Sequence, residues 1–224
     1  MIRIKLLLSV VALAFVTSVA AENSKIFVGA DVAIVKYTGS EYDYDPVVIA
    51  GFSAGYLRTF TIGESGLGVD VGAGIQYVTG TTESYDSYSG VYGGDYENDF
   101  KRTFCNLNIP VVIAYRIGSS DSFAFRPYAG VNLRLGLLVK TEVSYSDDLG
   151  VEDSIIINYY DKDDMAMLGS DYTARRFKAG MIFGGDFEFP TWSVGYQWGG
   201  DFGDIIKDDE ERYSWHTLRF AYKF

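Results

Sequence analysis

Leu67-Gly68-Val69-Asp70-Val71-Gly72-Ala73-Gly74-Ile75-Gln76-Tyr77-Val78-Thr79-Gly80 is the stretch whose reading decides the fold. Leu67, Val69, Val71, Ala73, Ile75 and Tyr77 form one row, while Gly68, Asp70, Gly72, Gly74 and Gln76 form the other. Successive side chains of an extended chain point to opposite faces, so the segment predicts a strand with one apolar and one small or polar face. It is longer than the roughly 9–11 residues that a tilted strand needs to cross a bilayer.

The same period of two recurs on both sides of this segment. Ile26–Tyr37 sets Ile26, Val28, Ala30, Val32 and Ile34 outward against Asp31, and Val48–Phe60 sets Ala50, Phe52, Ala54 and Tyr56 against Gly51, Ser53 and Gly55. Arg102–Ile117 alternates Leu107, Ile109, Val111, Ile113 and Tyr115 with Asn106, Asn108, Pro110, Ala114 and Arg116. Pro110 is awkward there, because proline removes a ladder donor. Phe125–Val143 sets Phe125, Ala129, Val131, Leu133, Leu135, Leu137 and Val139 against Arg126, Asn132, Arg134, Lys140 and Glu142. Thr173–Phe189 sets Phe177, Ala179, Met181, Phe183, Phe187 and Phe189 against Arg176, Lys178, Asp186 and Glu188; Thr191–Gly199 sets Trp192, Val194, Tyr196 and Trp198 against Ser193, Gly195 and Gln197. The last segment, Tyr213–Phe224, sets Leu218, Phe220, Tyr222 and Phe224 against Thr217, Arg219, Ala221 and Lys223. Eight such segments predict an all-β chain, an eight-stranded antiparallel transmembrane barrel with lipid outside and a polar lumen. A soluble barrel would turn its apolar face inward; this many ionic groups on the other face suit an interior network better.

Residues 1–21 read as a signal peptide to be cleaved, leaving residues 22–224 as one barrel domain. Arg3 and Lys5 precede the apolar run Leu6–Val16, and Ser18-Val19-Ala20 or Val19-Ala20-Ala21 supplies small residues for cleavage. That run is too short for a membrane-spanning helix, and no later apolar run approaches the necessary length. Without the leader, 17 basic side chains face 30 acidic ones, a balance that disfavours nucleic acid as a partner. The single cysteine, Cys105, cannot form an intramolecular disulfide and reads as an apolar filler.

Predicted connections alternate between short turns and longer segments, Gly39–Asp45, Gly80–Asp99, Ser144–Asp171 and Asp201–Glu211, which carry 22 of the 30 acidic residues on one rim. These segments are rich in tyrosine, which offers contact area at low entropic cost and suits recognition of an extracellular ligand or protein. A solvated, repulsive surface is the first reading of these acids and weak calcium or magnesium binding an alternative; none has the ligand spacing of an EF-hand, and no defined metal or cofactor site is expected. In the lumen, Arg102, Arg126, Arg134, Lys140, Arg176, Lys178 and Arg219, with Arg116 and Lys223, are expected to face Asp31, Asp70, Glu142, Asp186 and Glu188. An eight-stranded barrel is just wide enough for side chains to fill it, so an ion-paired plug is the first expectation and a narrow anion-preferring passage the second.

The closing residues Phe220, Tyr222 and Phe224 resemble the C-terminal sorting signal of bacterial outer-membrane barrels, which implies delivery through the barrel-assembly machinery. From about Ile26 to Phe224 the chain resembles the porin-like (PorT-like) outer-membrane β-barrel domain of Bacteroidota. The likeness rests on Asn106-Leu107-Asn108-Ile109-Pro110-Val111-Val112, Arg126-Pro127-Tyr128-Ala129-Gly130-Val131, Phe177-Lys178-Ala179-Gly180 and Arg219-Phe220-Ala221-Tyr222-Lys223-Phe224. It implies an eight-stranded barrel in outer-membrane lipid, accommodates Pro110 as a family habit, and implies no catalytic motif.

The expected function is therefore a non-enzymatic integral outer-membrane protein, structural or surface-binding through its acidic loops. The alternatives are a small-solute passage or a component of a transport or secretion assembly. More distant is a lipid A hydrolase, suggested by Ser214 and His216 two apart on one strand face.

Overall fold

The computed structural model describes residues 24–37, 46–88, 94–119, 122–146, 152–167, 173–206 and 211–224. The predicted signal peptide and the Gly39–Asp45 segment lie outside the described residues. The strands are β1 (Ser24–Tyr37), β2 (Val47–Thr61), β3 (Leu67–Tyr88), β4 (Gly94–Tyr115), β5 (Ile117–Gly118), β6 (Ala124–Ser146), β7 (Glu152–Asn158), β8 (Phe177–Glu188), β9 (Trp192–Asp201) and β10 (Glu211–Lys223). One short helix, α1 (Lys162–Met167), follows β7.

The sheet runs β4-β3-β2-β1-β10-β9-β8-β6, and β4 pairs with β6, which closes an eight-stranded antiparallel barrel. β5 extends the β4 edge by two residues and β7 lies on the outer part of β6. Closure joins the chain ends, since β1 and β10 pair from Lys25↔Lys223 to Tyr37↔Glu211. Among the described residues no helix is long and apolar enough to cross a membrane. The outward rows are the apolar ones: Val28, Phe52, Ile75, Ile113, Phe177 and Leu218 are 52–63% exposed. Water would not tolerate such a belt, whereas lipid hydrocarbon does. Tyr56 belongs to an outward row yet is covered, its hydroxyl 2.6 Å from Ser24 Oγ.

Short turns lie at the end that holds Ser24 and Phe224; barrels of this kind place short turns in the periplasm and long loops outside. The turn between β2 and β3 uses Gly63 and Gly66 at φ 61° and 77°, left-handed positions that glycine occupies without penalty. At the other end the strands run on past the membrane. β3 and β4 have 22 residues each, about twice what a span needs, so Gly80–Asp99, expected as a loop, is largely a projecting hairpin. Backbone pairing continues there from the membrane-embedded ladder. The Ser144–Asp171 segment likewise contains β7 and α1.

Two irregularities answer to local chemistry. The β3–β4 register passes from Val71↔Val111 to Gly74↔Asn108 without a pair at Ile109 and Pro110, so the ladder is open where proline has no N–H to give. On β6, Leu138 pairs with Cys105 and Gly136 with Asn106, leaving Leu137 as an extra residue. Such a bulge inverts the alternation beyond it. Val139, expected outward, therefore faces the lumen at 4% exposure, and Lys140 and Glu142, expected in the lumen, fall on the opposite face.

The lipid belt predicts that Val28→Arg, on the outward row of β1, destabilises the folded barrel by about 2–4 kcal/mol in phospholipid vesicles. Reversible denaturant unfolding followed by tryptophan fluorescence measures the loss.

Candidate functional site: a two-level lumen

The lower, periplasmic half of the lumen holds the ions. Arg126 meets Asp70 with both terminal nitrogens, at 2.5 and 2.7 Å, and Thr59 Oγ1 donates to the same carboxylate at 2.6 Å. Lys25 donates to Asp186 at 2.9 Å and lies 3.9 Å from both Asp70 and Glu188. Arg219 donates to Asp186 at 2.7 Å, and Arg116 grips Glu188 at 2.8 and 3.0 Å. The register explains why these groups meet. Asp186 on β8, Gly195 on β9 and Arg219 on β10 are successive partners in one rung, and a Cβ at position 195 would collide with the Asp186 carboxylate. Glycine there lets the longer side chains pair across it. Asp70, Asp186, Arg126 and Lys25 are all at most 2% exposed, so each charge depends on its partners to offset desolvation.

Above the ions sits Asp31, whose Oδ1 accepts from Thr217 and from Gln76 at 3.3 Å, while Tyr213 donates to Gln76 at 3.1 Å. A cavity of about 40 Å³ lies beside it, lined by Asn108, Asn132 and Arg219 among others, too small for a continuous passage. Arg134 pairs with Asp201, and its guanidinium stacks 4.0 Å over the Tyr213 ring.

The outer half is apolar. Ala33, Val35, Ile49, Val78, Phe104, Val139, Tyr213 and Trp215 point inward and form one buried cluster with Met165 of α1, Ala174, Ile205 and Ile206. The chain after β7 thus folds over the mouth: Ala174 N donates to Tyr159 O at 2.7 Å and Arg175 N to Ile205 O at 3.0 Å. Thr141 Oγ1 donates to Tyr159 Oη at 3.1 Å. Sequence reasoning expected a uniformly polar lumen and missed this cap. The available signal was the loss of alternation near the outer strand ends, where Val35, Ile49, Val78 and Trp215 make inward rows apolar.

The predicted lumen residues divide accordingly. Asp70, Arg126, Asp186, Glu188 and Arg219 come together, joined by Arg116 and by Lys25, which the predicted strand boundary at Ile26 excluded. Asp31 and Arg134 lie above them and pair elsewhere. Arg102, opposite Gly80 and Thr141, and Lys178, opposite Arg134, are half-buried beyond the ionic level. Arg176 is exposed and lies outside the lumen network, stacked 4.0 Å over Tyr160, because β8 begins one residue after it. Lys140 is turned out by the bulge.

Of the rim acids, Asp164 accepts from Asn158 N at 2.8 Å and Asp161 from Asp163 N at 2.9 Å, so these carboxylates fasten α1. Glu41–Asp45 and Asp208–Glu210 lie outside the described residues. Among the described residues no group of three or more His, Cys, Asp or Glu side chains could hold a metal ion. His216 Nδ1 lies 2.5 Å from the Tyr196 hydroxyl on the outer face, and this pairing brings a phenol rather than Ser214 to the imidazole.

A closed antiparallel barrel with an apolar belt and an internal ion network defines the class: an integral β-barrel of the bacterial outer membrane. Residues 19–204 match the outer membrane protein beta-barrel domain family, and the chain belongs to that family. No curated protein matches it. Similar solved structures include Ail, the attachment invasion locus protein of Yersinia pestis, at 14% identity over 91% of this chain and 100% of that one, with a TM-score of 0.41. OprG from Pseudomonas aeruginosa is similar at 14% identity, covering 91% and 96%, with a TM-score of 0.39. The outer membrane enzyme PagL is similar at 9% identity, covering 88% and 99%, with a TM-score of 0.30.

Removing the Asp186 carboxylate leaves Lys25 and Arg219 buried without their shared partner. Asp186→Ala is expected to cost about 3–5 kcal/mol, read by denaturant unfolding in lipid, while the exposed Lys101→Ala stays within about 0.5 kcal/mol of the parent.

Proposed function

We propose that the protein is a closed, non-conducting and non-enzymatic barrel whose work is done at the outer surface. There the acidic, tyrosine-rich segments and the projecting β3–β4 hairpin engage an extracellular ligand or protein. The observation that carries this reading is the double obstruction of the lumen: ion pairs below, and above them a buried apolar cluster of inward side chains joined by Met165, Ala174, Ile205 and Ile206. An aqueous channel needs a continuous polar path. The polarity of the projecting strands supports a role in water beyond the lipid headgroups.

Residues 1–21 serve in this reading as a cleaved leader. Phe220, Tyr222 and Phe224 present the terminal strand to the assembly machinery, and the motifs around Pro110 support a likeness to the porin-like barrels of Bacteroidota. The solute-passage and secretion-assembly alternatives require the cap to leave the lumen. The hydrolase alternative finds no support in His216, which is engaged by Tyr196.

Planar bilayers holding refolded protein, verified by heat-modifiable gel migration, are expected to stay silent. Steady unitary openings overturn the closed-barrel reading in favour of a passage. His216→Ala is expected to leave the lipid A acylation pattern unchanged by mass spectrometry.

A further inference from the structure

The periplasmic mouth of the lumen differs from the outer one. It opens into a cavity of about 240 Å³ lined by Ser24, Lys25, Thr59, Arg116, Glu188 and Lys223, with Pro190 and Phe224 at its edge. The charges around it do not balance. Lys25, Arg116, Arg126, Arg219 and Lys223 stand against Asp70, Asp186 and Glu188, so five cations meet three anions, and a carboxylate at Phe224 still leaves one cation in excess.

The excess is also localised. Arg126 turns both terminal nitrogens onto Asp70 and Arg219 turns one onto Asp186, deeper in, while Arg116 turns Nε and one terminal nitrogen onto Glu188. Lys223 is half-buried on an inward row, opposite Lys25 across the β1–β10 closure, and makes no ion pair within 4.0 Å among the described residues. Nearby hydroxyls are already engaged: Thr59 donates to Asp70, and Ser24 bonds with Tyr56. What the vestibule offers to the periplasm is therefore a Lys223 ammonium, the other terminal nitrogen of the Arg116 guanidinium, and a positive field concentrated by low-dielectric walls.

We propose that this vestibule is a dead-end binding site for a compact oxyanion of the phosphate type, taken from the periplasmic side. Lys223 and Arg116 hold it and Lys25 contributes charge from behind. A carboxylate or phosphate oxygen accepts charge-assisted hydrogen bonds from both side chains, and the negative charge of the oxyanion offsets the cationic excess. A cation is repelled, and the apolar cap stops the anion from travelling on. The site is thus compatible with silent bilayers and independent of what the outer loops bind. The same phosphate chemistry is presented by free inorganic phosphate and by the headgroup of an anionic phospholipid in the inner leaflet.

The test is titration of inorganic phosphate into the full chain refolded in zwitterionic detergent at low ionic strength, followed by calorimetry and phosphorus NMR. Saturable one-to-one binding is expected, weakened about tenfold by Lys223→Met, as loss of one charge-assisted hydrogen bond implies. Lys223→Arg should retain it and Lys101→Met, on the projecting hairpin, should leave it unchanged. Heat-modifiable migration verifies that each variant is folded. Absence of saturable binding, or equal affinity in the Lys223→Met and parent proteins, overturns the proposal. Repeating the titration in phosphatidylglycerol and phosphatidylcholine bilayers separates the sources: loss of the phosphate response only in phosphatidylglycerol assigns the site to a lipid headgroup, and persistence in both assigns it to the free anion.

Discussion

Inside hydrocarbon a backbone amide has no water to bond with, and each unpaired group there costs several kcal/mol. A chain that crosses with strands must pair every one of them, which forces the sheet to close on itself. Here closure falls between β4 and β6 on one side and at the β1–β10 seam that joins the two ends of the chain. Nearly everything else follows from that seam. The period of two assigns one face of every strand to lipid, the other face of all eight strands is crowded into one narrow lumen, and each long side chain there must find its partner on another strand.

The lumen solves the crowding in two ways. In the periplasmic half, the glycine at Gly195 leaves room for the Asp186 carboxylate and Arg219 to pair across its rung. Burying these charges is costly, and mutual pairing offsets the cost without making the network a large source of stability. What such a network provides is dependence: each ion holds its neighbours in one arrangement. In the outer half the same inward rows carry Val35, Ile49, Val78 and Trp215, and the segment after β7 folds in to cover them. Hydrophobic packing there seals the mouth that charges alone would leave wet.

This asymmetry organises the functional reading. A barrel sealed by apolar packing at the outside and lined by basic groups at the periplasmic end is suited to presenting structure outward and meeting anions inward, and ill suited to moving a solute through. The strands that exceed membrane thickness, β3, β4 and β6, carry the ladder into the aqueous phase and give the rim a folded platform.

Strand number, lipid face and the residues of the lower ionic level were legible in the sequence because lipid imposes one rule on every position of a spanning strand. Leu67–Tyr77 could hardly be read otherwise, and Asp70, Arg126, Asp186, Glu188 and Arg219 followed from the parity of their strands. Parity says which side a residue faces and nothing about height or partner. Only the pairing of distant strands could set Lys25 beside Asp186, bring Asp201 to Arg134, and place Gly195 between Asp186 and Arg219. The bulge at Leu137 was invisible for the same reason: an extra residue is defined against the neighbouring strand, and without Cys105 and Asn106 for reference the alternation through Val139 and Lys140 looks unbroken. The cap is the clearest case of all, since Met165, Ala174 and Ile206 sit in segments with no periodicity, and it is the shape of the space beneath them that makes them core.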